Sequence, residues 1–484
     1  MLRLVNSHPD MLYSREQGGP RVELLGPPVE RSDEALTPLA LQLLASLHRR
    51  FNPQRLELLR ARTRRQQELD AGVMPDFLQS TAAIRATEWR VAPAPPDLLD
   101  RRLAVTGPVD PKSVINALNE PVRAFVADFE DSCSPTWANM IRGQVNLADA
   151  IRRTITYSDA STGKVYRLRE RTATVVMRPR GWHLPEKHVR VNGETASGTL
   201  FDFALFIANN HATLVRRGSA PYLYLPKLES HLEARLWNEV FSATQEVLGL
   251  PRGTIKAAVL IETLPAAFEM EEILYELRHH VVGLSCGRWD YTFSFAKSFR
   301  AHPGFVLPDR ERVGPERHFL RAQLDLLTRT CHRRWAHALG IDSGPALHRE
   351  VLPGDLIRAP EADLTDKGLR ASIRVAVQYI EAWVRGTGCL TLYDRVEDAA
   401  TAEICRTQLW QWLHHGARTT DGKPITVERF DRTLGEELDR IHHEVGAARL
   451  LGGVFPTAVR LLEQMIKQDA LDEFLTLPAY EFLN

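Results

Sequence analysis

Hydrophobic and polar positions change rhythm twice along this chain. Between about residues 30 and 70 the apolar positions are helical. Leu43, Leu44, Leu47 and Phe51 follow Thr37, an N-capping residue type, and Pro38, which suits a first helical position. Pro53 is expected to end that helix, with a second one over about 54–70. Arg60, Arg62, Arg64 and Arg65 in the second helix read as a solvated face. Residues 1–30 are polar, rich in Pro and Gly, and read as a tail.

From about residue 100 short β-rich runs alternate with helical stretches. The runs are Leu103–Val109, Ala124–Phe129, Ala173–Met177, Tyr222–Leu225, Ile255–Ile261, Val281–Leu284 and, more weakly, Trp335–Leu339. Helices are expected between them, over about 201–217, 229–247, 266–280 and 315–334. Strands that alternate with helices predict parallel strands joined by crossovers. About seven strands over this length come close to the eight of a (β/α)8 TIM-type barrel. After Pro360 the strand rhythm stops, and long helical segments are expected over about 366–386, 399–415, 427–445 and 456–469.

Composition narrows the function classes. The 484 residues are 44% hydrophobic and 25% charged, an ordinary globular balance with length for about three domains. Lys plus Arg and Asp plus Glu each number 61, so the net charge is zero and no basic excess marks a nucleic-acid binder. Cys133, Cys286, Cys331, Cys389 and Cys405 are scattered and odd in number, which predicts free thiols in a reducing compartment. No run approaches the roughly 18 apolar residues of a membrane helix. The first residues lack the apolar core of a signal peptide, and the last three are not a peroxisomal tripeptide. A cytoplasmic enzyme without membrane or nucleic-acid partners is expected.

In a parallel barrel the chemistry gathers at the C-terminal strand ends. Asp128, Glu130 and Asp131 follow the second run, and Arg178 and Arg180 the third. Lys227 follows the fourth, Glu262 the fifth, and the stretch Cys286–Asp290 the sixth. Each has a structural alternative: a lone Arg as a salt-bridge partner, a lone Glu as a first-turn helix acid. Their convergence on one face favours function. Glu262 and Asp290 suit a hard divalent cation such as Mg²⁺, which takes one or two carboxylates and leaves positions for a chelating substrate. Gly287 lets backbone amides approach a ligand, and the helix following Trp289 offers its positive end to an anion. Arg178 could stabilise an oxyanion. These features suit carbon–carbon bond chemistry on a 2-oxo acid. No G-x-G-x-x-G follows a strand and no H-E-x-x-H occurs, which sets aside hydride transfer and zinc hydrolysis. The missing base has one candidate in the acidic pair Glu397 and Asp398, although Asp398 reads equally as a helix N-cap.

These residues carry a family resemblance. The stretches Ala127–Asp131, Ser134–Trp137, Gly143–Leu147, Arg178–His188, Tyr224–Lys227, Gly253–Pro265, Gly283–Tyr291, Glu397–Glu403 and Phe474–Pro478 resemble malate synthases of the shorter isoform A class. The resemblance runs from about residue 22 to the end. It implies an acyltransferase of the glyoxylate cycle that joins glyoxylate to acetyl-CoA, with Mg²⁺, and hydrolyses the thioester to malate and CoA. Residue by residue, it implies that Glu262 and Asp290 ligate the metal and that Asp128 and Glu130 support metal-bound waters. Gly287, Arg288 and Trp289 would bind the glyoxylate carboxylate. Arg178 would be the catalytic arginine and Asp398 the base. The implied layout is a tail (1–21), a helical clasp (22–98), a TIM-type barrel (99–345), a linker (346–365) and a C-terminal all-helical domain (366–484).

One departure stands out. In the family a further stretch after the seventh strand supplies the eighth strand and part of the acetyl-CoA cleft. Here Ala336–Gly340 runs straight into Ile341–Gly354, so roughly 50–60 residues, about one βα unit with an insertion, are absent. The barrel is therefore expected to be incomplete at strand 8, with 346–352 as a substitute short strand. Two other readings remain open: a non-catalytic relative that has lost acetyl-CoA binding, and a malyl-CoA or citramalyl-CoA lyase-type enzyme.

Overall fold

A computed structural model describes residues 3–7, 10–14, 21–100, 104–340 and 350–484. Its centre is a parallel sheet of seven strands: β1 (Ala104–Gly107), β2 (Ala124–Asp128), β3 (Thr174–Arg178), β4 (Tyr222–Leu225), β5 (Lys256–Ile261), β6 (Val281–Cys286) and β7 (His337–Leu339). Each strand pairs with its successor, as crossover connections require, and β1 and β7 are the two edges. β5 is buried along its whole length, as a strand covered on both faces must be.

Seven of the eight strands of a TIM-type barrel are thus present among the described residues, and β1 and β7 do not pair. On the concave side Val126, Val176, Tyr222, Ala258 and Val282 form a small apolar cluster beside a cavity of about 430 Å³. Most of the substitute strand expected over 346–352 lies outside the described residues, and Glu350–Leu352 form no strand.

The N-terminal part differs from expectation in two ways. Residues 1–21, read as a tail, contribute the paired strands Arg3–Ser7 and Asp10–Ser14. With Val22–Leu24 and the hairpin Pro185–Val191/Glu194–Ser197 they complete a five-stranded antiparallel sheet. Val22 and Leu24 bury their side chains there. Their partner strand lies more than 150 residues away in sequence, so no local pattern announces it.

The second difference is Pro53, which does not end its helix. One helix runs from Pro38 to Asp70 behind Thr37, whose side chain caps Ala40 N. Pro in a helix interior costs about 3 kcal/mol. Burial of Leu41, Leu44, Leu47 and Phe51 outweighs that cost. Asn52 and Arg55 help: Arg55 donates to Asn52 Oδ1 (2.8 Å) and to the carbonyl of Trp182 (2.5 Å), tying the helix to the loop after β3. The arginine stripe is only partly solvated. Arg60 and Arg64 are exposed with Glu57. Arg62 is buried, pairs with Glu233 at 2.7 Å and donates to the carbonyl of Lys227 at 2.7 Å. Arg65 reaches the carbonyl of Glu229 at 2.8 Å. This helix therefore fixes the loop after β4.

The C-terminal part is mainly helical, with Asp366–Val384, Ala399–His414, Val427–Val445 and Phe455–Lys467 around a second apolar core. It is not the all-helical domain expected: Leu390–Leu392 and Arg395–Glu397 pair as a short antiparallel hairpin ahead of Asp398. It docks on the barrel at several points. Phe474 stacks on His183 at 3.9 Å between ring centres. Gln408 and Trp412 donate to the carbonyls of Pro308 and Leu307. The backbone N–H of Ala399 donates to the carbonyl of Asp131 at 3.3 Å.

Candidate active site and metal centre

Parallel register brings the strand-end residues to one level. Asp128 ends β2 opposite Arg178 at the end of β3, and Ile261 ends β5 opposite Cys286 at the end of β6. The next residues in each chain segment form a buried polar cluster of Asp128, Glu130, Asp131, Arg178, Lys227, Glu262 and Asp290.

Asp128 shapes the loop that carries its neighbours. Its carboxylate accepts from the backbone N–H groups of Glu130 (2.8 Å), Asp131 (3.2 Å) and Ser132 (3.1 Å), and from Ser132 Oγ (2.8 Å). That leaves little of it free to hold water and turns Glu130 and Asp131 inward. Arg178 Nη2 lies 2.7 Å from Asp131, 2.6 Å from Glu130 and 3.4 Å from Glu262. Lys227 Nζ lies 2.9 Å from Asp290, 3.1 Å from Asp131 and 3.1 Å from Glu130. Glu262 is oriented by Lys227 N, which donates to it at 2.6 Å.

Asp131, Glu262 and Asp290 each offer an oxygen within 4.8 Å of the others, the one such buried group among the described residues. Sequence reasoning placed Glu262 and Asp290 together and left Asp131 and Lys227 at strand ends without a role. The signal for Asp131 was its position one residue beyond Glu130 in a loop that Asp128 folds back.

The cluster is short of positive charge. Five buried carboxylates (Asp128, Glu130, Asp131, Glu262 and Asp290) face two cations, Arg178 and Lys227. Burial, then neighbouring carboxylates, pushes Glu130 well up; burial also lifts Glu262, with Asp290 and Glu130 adding, against the pull of Lys227 and Arg178. Burial and Asp131 raise Asp290. Burial raises Asp131 as well, but Arg178 and Lys227 outweigh it and hold the group well below the usual range. Asp290 Oδ1 makes no hydrogen bond although it is buried, since its contact with Lys227 is poorly angled. An acid-rich hard-oxygen set, one of whose buried oxygens meets only the Lys227 ammonium, fits a divalent cation.

Gly287 caps the helix Arg288–Ser298, whose first-turn amides have no intrahelical acceptor. A Cβ at Gly287 would lie 3.0 Å from both Cβ and Oε2 of Glu262. The helix end and a cluster carboxylate therefore approach more closely than a side chain allows. Arg288 stacks over Trp289, with the guanidinium 3.8 Å from the ring centre. Gly287→Ala is expected to displace the Glu262 carboxylate and lower kcat/KM by about 10²-fold, read by steady-state kinetics. Wild-type kinetics would show that the close approach is unimportant.

Asp398 is the N-cap of the helix Ala399–His414 and lies close enough to the acidic cluster to feel its charges. Its carboxylate accepts from Thr401 N at 3.2 Å, while Thr401 Oγ1 accepts from Asp398 N at 3.0 Å. Burial, then the charges of Asp131 and Asp290, pushes it up to about 7. Glu397, beside it, is held by a two-pronged pair with Arg310 at 2.7 and 2.8 Å. Arg310 also lies over the Trp289 ring at 5.4 Å. Arg310→Met leaves Glu397 buried without its partner. It is expected to cost about 3–5 kcal/mol in urea unfolding, and unchanged stability would contradict that.

Comparison with known proteins decides the family. The family models for malate synthase match in three parts: the N-terminal domain at residues 21–83, the TIM barrel domain at 174–344 and the C-terminal domain at 363–483. The malate synthase of Myxococcus xanthus is 46% identical over 512 positions, covering 93% of this chain and 94% of its own. This chain belongs to the malate synthase family. Malate synthase A of Escherichia coli is 44% identical over 515 positions, covering 94% of this chain and 96% of its own. A solved malate synthase of Haloferax volcanii, in a magnesium/glyoxylate complex, is 14% identical with a TM-score of 0.38, covering 74% of this chain and 97% of its own. In the Myxococcus alignment 93% of 484 residues fill about 450 of the 512 positions, so about 60 positions have no residue of this chain. That number matches the size, roughly 50–60 residues, of the stretch expected to be absent.

Proposed function

We propose that this malate synthase-family chain condenses glyoxylate with acetyl-CoA at the Asp131–Glu262–Asp290 cluster and releases malate and CoA. The observation that carries the reading is Asp398. Its helix is docked on the Asp131 loop through Ala399, so a carboxylate from the C-terminal part faces the metal-fitting acids of the barrel.

Each residue has a task. Glu262 and Asp290, with Asp131, would hold Mg²⁺. When bound, the cation would polarise the carbonyl of a chelating 2-oxo acid. The first-turn amides of Arg288 and Trp289 suit the glyoxylate carboxylate. Asp398 takes a proton from the acetyl methyl group, the enolate carbon attacks the aldehyde carbon, and the alkoxide so formed takes a proton from solvent. Water then attacks the thioester carbonyl of the malyl-CoA, and CoA leaves to give malate. Arg178 stands ready to stabilise the oxyanion. Glu130 and Asp128 support the loop and its polar network. A cleft of about 370 Å³, lined by Pro108, Ser132, Cys133, Gly388 and Cys389, opens between the loops after β1 and β2 and the C-terminal part. It borders the loop that carries Asp131 and is the cleft we assign to the acyl thioester. Burial, followed by the charge of Asp398, raises the Cys389 thiol to about 11, which keeps it protonated and unreactive beside a thioester.

The base must be ionised to act. The acid limb of kcat/KM is therefore expected above the usual aspartate value of about 4 and at or below about 7, since a bound cation pulls Asp398 down. A limb below the usual value would contradict the assignment. Mass spectrometry of the products tests the reaction itself: malate and free CoA are expected, whereas accumulating malyl-CoA would indicate a lyase-type enzyme. No helix among the described residues is long and apolar enough to cross a membrane. With that, the free cysteines and the even charge balance support a cytoplasmic enzyme.

A further inference from the structure

Lys227 occupies an unusual position. It is not a glycine, yet its φ is +56°, in the left-handed region that side chains disfavour. Both of its backbone polar groups are anchored. Its N–H donates to Glu262 Oε1 at 2.6 Å, and its carbonyl accepts from the buried Arg62 at 2.7 Å. The side chain is 3% exposed and ends among the carboxylates that fit a divalent cation. Its ammonium lies 2.9 Å from Asp290 Oδ1, 3.1 Å from Asp131 Oδ1 and 3.8 Å from Glu262 Oε1. It also lies 3.1 Å from Glu130 Oε2. A strained backbone held at both ends aims this ammonium into the carboxylate cluster.

We infer that Lys227 is the resident counter-ion of the metal site. It keeps the three carboxylates gathered before the divalent cation arrives, and it sets the affinity of the site by competing for the same oxygens. The inference rests on the reading of Asp131, Glu262 and Asp290 as the metal group. Two physical effects point the same way. Removing a positive charge from beside a bound cation removes repulsion. Leaving the carboxylates less compensated in the metal-free protein raises the free energy of that state, which strengthens apparent binding. Lys227 is thus a positioning residue whose loss tightens metal binding, the opposite of losing a ligand.

The test is calorimetric titration of the full chain with Mn²⁺, with melting curves recorded with and without the ion. Lys227→Met keeps the length of the side chain and removes the charge. It is expected to bind Mn²⁺ at least tenfold tighter than wild type, and to melt lower without metal but recover at saturation. Lys227→Arg keeps the charge and is expected to bind no tighter than wild type. Equal or weaker binding by Lys227→Met overturns the inference, as does equal tightening by Lys227→Arg. So does a Lys227→Met chain that folds in neither condition, because the ion should supply the missing charge. A wild-type chain that binds no Mn²⁺ would instead sink the metal reading beneath it.

Discussion

Asp398→Asn should abolish turnover while leaving the fold intact. Asn is as good an N-cap as Asp, so the bond to Thr401 N and the start of the helix Ala399–His414 survive. What is removed is the carboxylate's charge and, with it, the ability to accept a proton. General bases contribute about 10²–10⁴-fold, and the variant should lose at least the middle of that range in kcat. Its melting temperature should stay close to wild type or rise slightly, since a buried carboxylate pushed up by burial and by Asp131 and Asp290 is relieved of its charge. A variant that turns over at near-wild-type rates would place the base elsewhere. One that loses activity only by unfolding would return Asp398 to its capping role.

Glu262→Ala carries the second large effect. The carboxylate is fully buried, receives Lys227 N and faces Arg178, so its removal disturbs both the cation ring and the loop after β4. The variant should lose Mg²⁺-stimulated turnover altogether, by a factor of about 10³ or more, as expected when a Lewis acid worth several kcal/mol is no longer held. Calorimetry should show no divalent-cation binding where wild type shows it. Retained, Mg²⁺-stimulated activity would refute Glu262 as a ligand.

Much of the barrel was legible because its strands are short apolar runs punctuated by helices, with the central β5 and β6 buried along nearly their whole length. The run Tyr222–Leu225 and its observed strand coincide, and Lys256–Ile261 and Val281–Cys286 differ from their expected runs by one or two residues. The expected helix over 266–280 instead forms two pieces, Leu264–Ala267 and Met270–Glu276. The antiparallel sheet was not legible, because Val22–Leu24 meets its partner Pro185–Val191 only after the barrel has begun. Pro53 misled for a related reason: local propensity marks a break, and tertiary burial of Leu44 and Phe51 overrides it.

The site divides along the same line. Glu262, Asp290 and Arg178 stand at strand ends, where a parallel barrel concentrates chemistry, and could be read from topology. Asp131 and Lys227 could not. Asp131 depends on a loop folded by the carboxylate of Asp128, and Lys227 on a left-handed backbone held by Glu262 and by Arg62 from a distant helix. The placement of Asp398 lay between: its capping role was written in the sequence, whereas its approach to the acids depends on the docking of Ala399 onto Asp131.

A chain with seven described barrel strands, short by about 60 positions against its Myxococcus relative, is expected still to perform the condensation. Purified protein should be given glyoxylate, acetyl-CoA and Mg²⁺, and free thiol followed with a chromogenic disulfide, beside a control lacking glyoxylate. CoA release that requires both glyoxylate and Mg²⁺ is expected. Folded protein that releases no CoA above the control would contradict it.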